Sequence, residues 1–453
     1  MEKPPIKSEM NQVATGSVRP RPVWTSQRAY ILASIAGVIG LGNIWRFPYM
    51  AGQNGGGTFV LAYAICIFAI GVPLTVLEAS AGKYVGRGPV GLFRRINSRW
   101  GPWAGWFLVA MIIAIMSYYL VVTGWTLGYA VGAVRADLKP FSEFTAGFAS
   151  LWFFLLAAAL SFVVLLRGIG GLERMGKIML PLLVVTVGGL AIYSQTLSGA
   201  GEAREFYFSF DLERFLEPKT WQMAAGQAFY SLAIGQGFLI TYGSYIPRNV
   251  NIVNSSAAIA ATNAVISITS GLMVFAIVFT FGMAPDTGSQ LSFTAFPKIF
   301  GGLPGGLLIG IAFYILLFMA AFTSCVGGLA VVLAPIRDEF HMSRRRAALI
   351  VVAVVTALGI PSALSFTSMG LIIGGKPFLD VMDQITGSGV VVAAGIVGAA
   401  LIAWLLPRAH LFKVMNARSR RVGPIMLSPQ WMISVGRYLP AATIALLLVT
   451  YLF

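Results

Sequence analysis

Residues 40–63 read GLGNIWRFPYMAGQNGGGTFVLAY, and the fold turns on how this stretch is understood. It closes one apolar segment, placed near 28–51, and opens another, near 58–82. Gly40 and Gly42 sit in the middle of the first segment, where each glycine costs a helix about 1 kcal/mol relative to alanine. Arg46 follows one turn later, in GNIWRFP, and an ionisable group within a bilayer costs several kcal/mol. Two readings of the glycines stand at this point. They allow a neighbouring helix to approach closely, or they mark unwound backbone, which a membrane tolerates only where it lines a cavity.

Outward from there the whole chain is apolar. Of 453 residues, 57% are hydrophobic and 11% charged, with a mean hydropathy of +0.80, whereas a soluble chain carries about 25% charged residues. At about 20 apolar residues per span, helices are predicted near 28–51, 58–82, 104–134, 148–167, 177–197, 220–247, 254–284, 304–336, 346–362, 377–406 and 431–453, eleven in all. Residues 1–24 are polar and basic and lack the apolar core of a signal peptide, so they are read as a cytoplasmic tail. With the tail inside, 24 of the 32 Lys and Arg lie on the cytoplasmic side and 7 on the outer side, in line with the positive-inside rule. The net charge of +16 then reports orientation and not nucleic-acid binding. The partners implied are a lipid bilayer and a small solute, with no obligatory protein partner indicated.

A second interrupted segment favours unwinding. Gly235 and Gly237, in YSLAIGQG (230–237), stand in the sixth span as Gly40 and Gly42 stand in the first. Paired interruptions at matching positions of two halves are the mark of an inverted-repeat transporter with its site at the midplane. The expected architecture is all-α and polytopic: a tail 1–24, a first five-helix repeat 25–197, an outer loop 198–219, a second repeat 220–406, a cytoplasmic loop 407–430 and an eleventh helix 431–453. The segment 286–302 has room for a short helical hairpin, under Pro297 and Pro304.

Ionisable residues within spans are functional candidates by default; here they are Arg46, Glu78, Asp380 and Asp383. Arg46 and Asp383 lie on the same outer side, either as a closure over a ligand or as a fixed ion pair. Arg21 and Trp24, before the first span, and Asp338, at the end of the eighth, form a matching inner set. An intramembrane enzyme would need a nucleophile with a base, or a metal pair, in the spans. The two histidines, His341 and His410, fall in loops, and Cys66 and Cys325 lie in apolar stretches that offer neither a disulfide framework nor a zinc cluster. No enzyme is expected, and a site closed by charged pairs argues against a continuous pore.

The stretch 40–63 resembles the neurotransmitter:sodium symporter family, which contains the bacterial leucine transporter and the animal amine, glycine and GABA carriers. Further signatures follow in order: SYYLVVTGWTLGYA in the third span, GQAFYSL in the sixth, Asn263 in the seventh, AAFTSC in the eighth and LDVMD in the tenth. Gly171 and Pro181, with nine residues between them, match the fifth helix, which the resemblance implies loosens on the inner side. The absence of a twelfth span resembles the shorter bacterial members. The resemblance implies the leucine-transporter fold with broken first and sixth helices and alternating access in a plasma (inner) membrane.

It also implies two sodium ions. One is held by the side chain of Asn43, the carbonyl of Val38, Ser231, Asn263 and the substrate carboxylate. The other is held by the carbonyls of Ala36, Ile39 and Ala320 with the hydroxyls of Thr323 and Ser324. Sodium is a hard cation, and neutral oxygens of this kind suit it. Taken alone, Thr323 and Ser324 would read as hydroxyls bonded to the preceding helical turn. The substrate pocket implied is Gly37, Val38, Leu41, Gly42, Ile115, Tyr119, Tyr230, Ser231, Ala233, Gln236, Ser324 and Gly328. Amine carriers of the family have an aspartate where this chain has Gly40, so an amino acid that brings its own carboxylate is expected. Gly328 stands where the leucine transporter has a branched residue, which enlarges the site for a large apolar or aromatic side chain, although Gln236 adds a polar group. Tyr245, beneath the sixth helix, joins the inner closure of Arg21, Trp24 and Asp338. Chloride is expected as well. Many bacterial members have a carboxylate one turn after the sodium-binding Asn, whereas here Ser267 occupies that place, as in the chloride-binding animal carriers. Tyr63, Gln227, Ser231, Asn263 and Ser267 match their chloride ligands. The alternatives are charge compensation by Glu78 or by the substrate, and a same-fold carrier driven by protons or moving an amine.

Overall fold

The computed structural model describes residues 22–247, 249–285, 293, 296, 300, 305–416 and 428–452. The first predicted span is α1 (Gln27–Val38), started by Ser26, whose hydroxyl accepts from Ala29 N–H at 3.1 Å. After a break at residues 39–41 the chain resumes as a π-helical turn, Gly42–Arg46, running into α2 (Phe47–Gln53). The two pieces are bent by 53°. Then come α3 (Gly57–Val85), α4 (Gly101–Val134), α5 (Ala149–Leu166) and α6 (Gly168–Ser194). The sixth span is two helices, α7 (Pro218–Ser231) and α8 (Phe238–Gly243). The second half continues with α9 (Ile252–Thr280), α10 (Gly306–Phe340), α11 (Arg344–Leu364), α12 (Phe378–Leu405) and α13 (Pro429–Leu452). Eight of these are long and apolar enough to cross a bilayer, nine if the bent pair is one span. The split sixth span and α13 bring the order to one consistent with eleven. The fifth helix starts at Gly168, nine residues before the predicted boundary, because the glycine-rich run 168–171 is helical here. The hairpin predicted over 286–302 lies largely outside the described residues.

The only strands among the described residues are Ile372–Ile373 and Lys376–Pro377, antiparallel. They are joined by Gly374 and Gly375 at φ 57° and 76°, the paired left-handed conformation that a two-residue hairpin loop requires.

Helix α4 is the most enclosed of the spans and packs against α5, α10 and α11, while α1 is held between α6, α9 and α10. The outer faces of α5 and α6 present large apolar side chains such as Trp152, Val185 and Ile192, each more than 70% exposed. Apolar surface on that scale belongs in lipid. The inner, buried faces instead carry Asn43, Thr123, Gln227, Ser231, Asn263, Ser267 and Thr323, and these gather where the first and sixth spans break.

Candidate functional site

The break in the first span begins with three hydrogen bonds that a continuous helix would not make. Gly40 N–H, which would have closed on Ala36 O, donates to Asn43 Oδ1 at 3.1 Å. Leu41 N–H, which would have closed on Gly37 O, donates to the Tyr119 hydroxyl at 3.1 Å. Asn43 N–H turns to Gly40 O at 3.1 Å instead of Ile39 O. The carbonyls of Ala36, Gly37 and Ile39 thereby lose their helical donors, and buried carbonyls in that position need another partner. Space explains Gly40: a Cβ there would lie 2.6 Å from the Tyr119 hydroxyl and 2.8 Å from Ser324 Cβ. The sixth span breaks through left-handed backbone at Ala233, Gly235 and Gly237, with φ 53°, 78° and 67°. There the buried Glu78 of α3 accepts from Gly235 N–H at 2.9 Å. Glu78, singled out above for its charge, thus pins the sixth-span break.

Between the two breaks lies a polar cluster. Asn43 Nδ2 donates to Asn263 Oδ1 at 2.7 Å and to Ser267 Oγ at 2.8 Å. Asn263 Nδ2 donates to Ser231 Oγ at 3.0 Å and to the Tyr63 hydroxyl at 3.2 Å. Tyr63 is also 3.0 Å from Ser231 Oγ and 3.1 Å from Ser267 Oγ. Four of the five residues matched to chloride therefore touch one another, and Asn43, Ser231 and Asn263 of the first sodium set are in the same cluster. Gln227 faces elsewhere: it donates to Gly42 O at 2.8 Å and accepts from Arg46 Nη1 at 2.6 Å. On α10, Thr323 Oγ1 donates to Met319 O at 2.9 Å and Ala320 O at 3.2 Å, so its lone pairs face away from its own helix.

A buried cavity of about 30 Å³ adjoins the breaks, lined by Gly37, Val38, Gly40, Gly42, Ile115, Met116, Tyr119, Tyr230, Ser231, Ala233, Gln236 and Ser324. The predicted pocket residues Leu41 and Gly328 are not in its wall. Leu41 contributes its backbone N–H to Tyr119, and Gly328 is covered by Met116, whose Sδ lies 2.3 Å from where a Cβ on Gly328 would be. Met116 is a wall residue that the sequence reading missed. The Tyr119 hydroxyl accepts from Leu41 N–H and also bonds the Ser324 side chain at the edge of the cavity.

On the Arg46 side the cavity is covered. Arg46 lies 4.5 Å over the Tyr230 ring, and Asp383 accepts from the Tyr118 hydroxyl at 2.9 Å. Arg46 is thus held by Gln227 and Tyr230 and Asp383 by Tyr118, with the two charges near enough to attract each other. Trp125 packs against Phe141, Phe293 and Phe366 above them. At the opposite end, Trp24 Nε1 donates to Tyr242 O and its backbone N–H to Tyr245 O, both at 2.9 Å. Tyr242 stacks on Phe238 at 4.0 Å. Thr25 gives its N–H and its hydroxyl to the two carboxylate oxygens of Glu173, at 2.7 and 2.8 Å. Glu173 is buried, and it joins the start of α1 to α6 near Gly171. Asp338 sits half-buried at the end of α10, and Arg21 lies outside the described residues.

A small cavity at paired helix breaks, walled in part by neutral oxygens, is the form in which an inverted-repeat transporter places its site. The sequence profile of the sodium:neurotransmitter symporter family matches residues 21–150 and 147–450. The chain belongs to that family. It is 33% identical to the uncharacterized sodium-dependent transporter YhdH of Bacillus subtilis over 404 residues, 85% of this chain and 88% of the relative. It is 30% identical over 443 residues to an uncharacterized sodium-dependent transporter of Methanocaldococcus jannaschii, covering 92% and 87% of the two chains. The rat sodium-dependent neutral amino acid transporter B(0)AT2 is 31% identical over 301 residues, 57% of this chain and 41% of the relative. Among solved structures, MhsT in complex with L-phenylalanine superposes with a TM-score of 0.86 at 34% identity, covering 95% of this chain and all of that one. This family member is a multi-pass, sodium-dependent membrane transporter of the leucine-transporter fold and not an enzyme.

Proposed function

We propose that this symporter imports an amino acid with a large apolar or aromatic side chain, together with two sodium ions and dependent on chloride, across the plasma membrane with its N-terminus in the cytoplasm. The observation that carries the reading is the lack of room at Gly40. No carboxylate fits there to receive a substrate ammonium, while the Tyr119 hydroxyl and the Asn43–Ser231–Asn263 cluster are set to receive a substrate carboxylate and a cation side by side. The likeness to a structure solved with L-phenylalanine supports an apolar ligand. Binding of labelled phenylalanine to the purified protein tests it: phenylalanine should bind in sodium and not in potassium, and phenethylamine, which lacks the carboxylate, should not compete. Equal competition by the amine would favour the amine-carrier reading.

Side-chain size should be read by Met116 and Gly328. Methionine is unbranched and adapts its shape, so it can swing from above Gly328 when a bulky ligand enters. Gly328→Ile would hold Met116 in the way, and affinity for tryptophan is expected to fall about ten- to a hundredfold, in keeping with 1–3 kcal/mol for overpacking a filled site. Alanine binding should change little. Equal losses for both ligands in a competition assay would contradict this arrangement.

The inner closure should depend on Glu173. Glu173→Ala removes two hydrogen bonds to a charged acceptor, each worth about 1.5–3 kcal/mol, so the inward-open state is expected to gain about a hundredfold or more. A cysteine placed in the inner pathway should then react faster with a thiol reagent added from the cytoplasmic side. Unchanged reactivity would show that Trp24 and Tyr242 hold the closure by themselves.

A further inference from the structure

The Arg46–Gln227 pair lies in the wall of a second, larger cavity of about 570 Å³. Its other walls are apolar, with Ile70 from α3, Trp221 and Phe229 from α7, Val392 and Ile396 from α12, and Leu439 from α13. Arg46 is engaged with Gln227, Trp221 Nε1 with Phe215 O at 2.7 Å and Thr443 with Leu439 O at 2.9 Å, so few polar groups, Gln222 among them, are left to face this mainly apolar space. A water needs two to four polar partners to settle in a cavity, so water suits this one poorly. At the mouth, Gly389, Ala393 and Ala442 are exposed. The same three helices carry Phe68 on α3, Val397 on α12 and Ile444 and Leu448 on α13, each exposed by 47–58%. The cavity is thus continuous with the lipid-facing surface of α3, α12 and α13, and its volume falls in the range of sites that enclose one molecule.

We propose that this cavity holds an acyl chain of a bilayer phospholipid, inserted between α7, α12 and α13 from the leaflet on the Arg46 side. α7 carries Gln227 and α12 carries Asp383, so the chain would brace from behind the two helices whose side chains cover the candidate site. Small residues make the room. A Cβ on Gly226 meets nothing within 4 Å, so Gly226→Leu should fill the cavity from α7 without a clash. Ala442→Phe, at an exposed position on α13, should fill it from the other side.

The test is Trp221 fluorescence in vesicles of phosphatidylcholine brominated along its acyl chains, with the Trp221→Phe variant subtracted to isolate this indole. Quenching of Trp221 by the brominated chains is expected in the unmodified protein, and it should be lost in Gly226→Leu and in Ala442→Phe. Undiminished quenching in either filled variant that folds would place the indole against surface lipid only and overturn the proposal. So would the absence of bromine quenching in the unmodified protein, or quenching by aqueous iodide, which would mean a water-filled space.

Discussion

Amino-acid uptake by an Asn43→Ala variant is expected to fall to the level of empty vesicles at any sodium concentration. Asn43 accepts from Gly40 N–H and donates to Asn263 Oδ1 and Ser267 Oγ, so one side chain both shapes the first-span break and links it to α9. Truncation leaves three buried polar groups without their partner, at about 1–3 kcal/mol each. It also deletes an oxygen from the first sodium set. A combined loss of two such terms is about 10²–10⁴ in affinity. Uptake of labelled phenylalanine into proteoliposomes measures it, and the same preparation should keep its elution volume and thermal midpoint in detergent. Activity retained within threefold would remove Asn43 from the ion site.

The Ser267→Glu variant is expected to transport equally well in chloride and in gluconate, whereas the unmodified protein should lose nearly all uptake in gluconate. Two unit charges about 4 Å apart in a medium of effective dielectric 20 interact by about 4 kcal/mol, about a thousandfold in sodium affinity. In this chain the cluster around Asn43 holds hydroxyls and amides and no carboxylate: Tyr63, Ser231, Asn263 and Ser267. On the proposed reading the compensating anion is chloride, because Glu78 is already committed to Gly235 N–H at the sixth-span break. A glutamate at 267 starts from a side chain already within hydrogen-bond reach of Asn43 and Tyr63. Full uptake by the unmodified protein without chloride would refute the anion site. Chloride dependence that persists in Ser267→Glu would move it away from this residue.

The helix order and both breaks were legible in the sequence because they follow from one-dimensional signals: apolar length, paired glycines and polar residues scarce enough in the spans to stand out. The residues of the polar cluster came from the family resemblance and not from spacing, since a hydroxyl in an apolar helix taken alone reads as bonded to its own preceding turn. What escaped was rotation about a helix axis and the reach of long side chains. Gln227 was grouped with the anion ligands, but its amide spans Gly42 O and Arg46. Tyr118, next to the predicted Tyr119, points about a quarter turn away and reaches Asp383. Gly328 promised an open pocket that the flexible Met116 fills from α4. Glu173 lies in RGIGGLER (167–174), ahead of the predicted start of the fifth span at 177, and yet this run forms the first turns of α6. Each of these depends on which atoms meet across two helices, and spacing along one chain does not contain that.

The measurement closest to the central claim is accumulation of labelled phenylalanine in proteoliposomes under an inward sodium gradient, with chloride on both sides and a proton ionophore present. Concentration above equilibrium that collapses when potassium replaces sodium is the predicted result. Accumulation that follows a proton gradient and ignores sodium, or uptake of phenethylamine in place of phenylalanine, would contradict it.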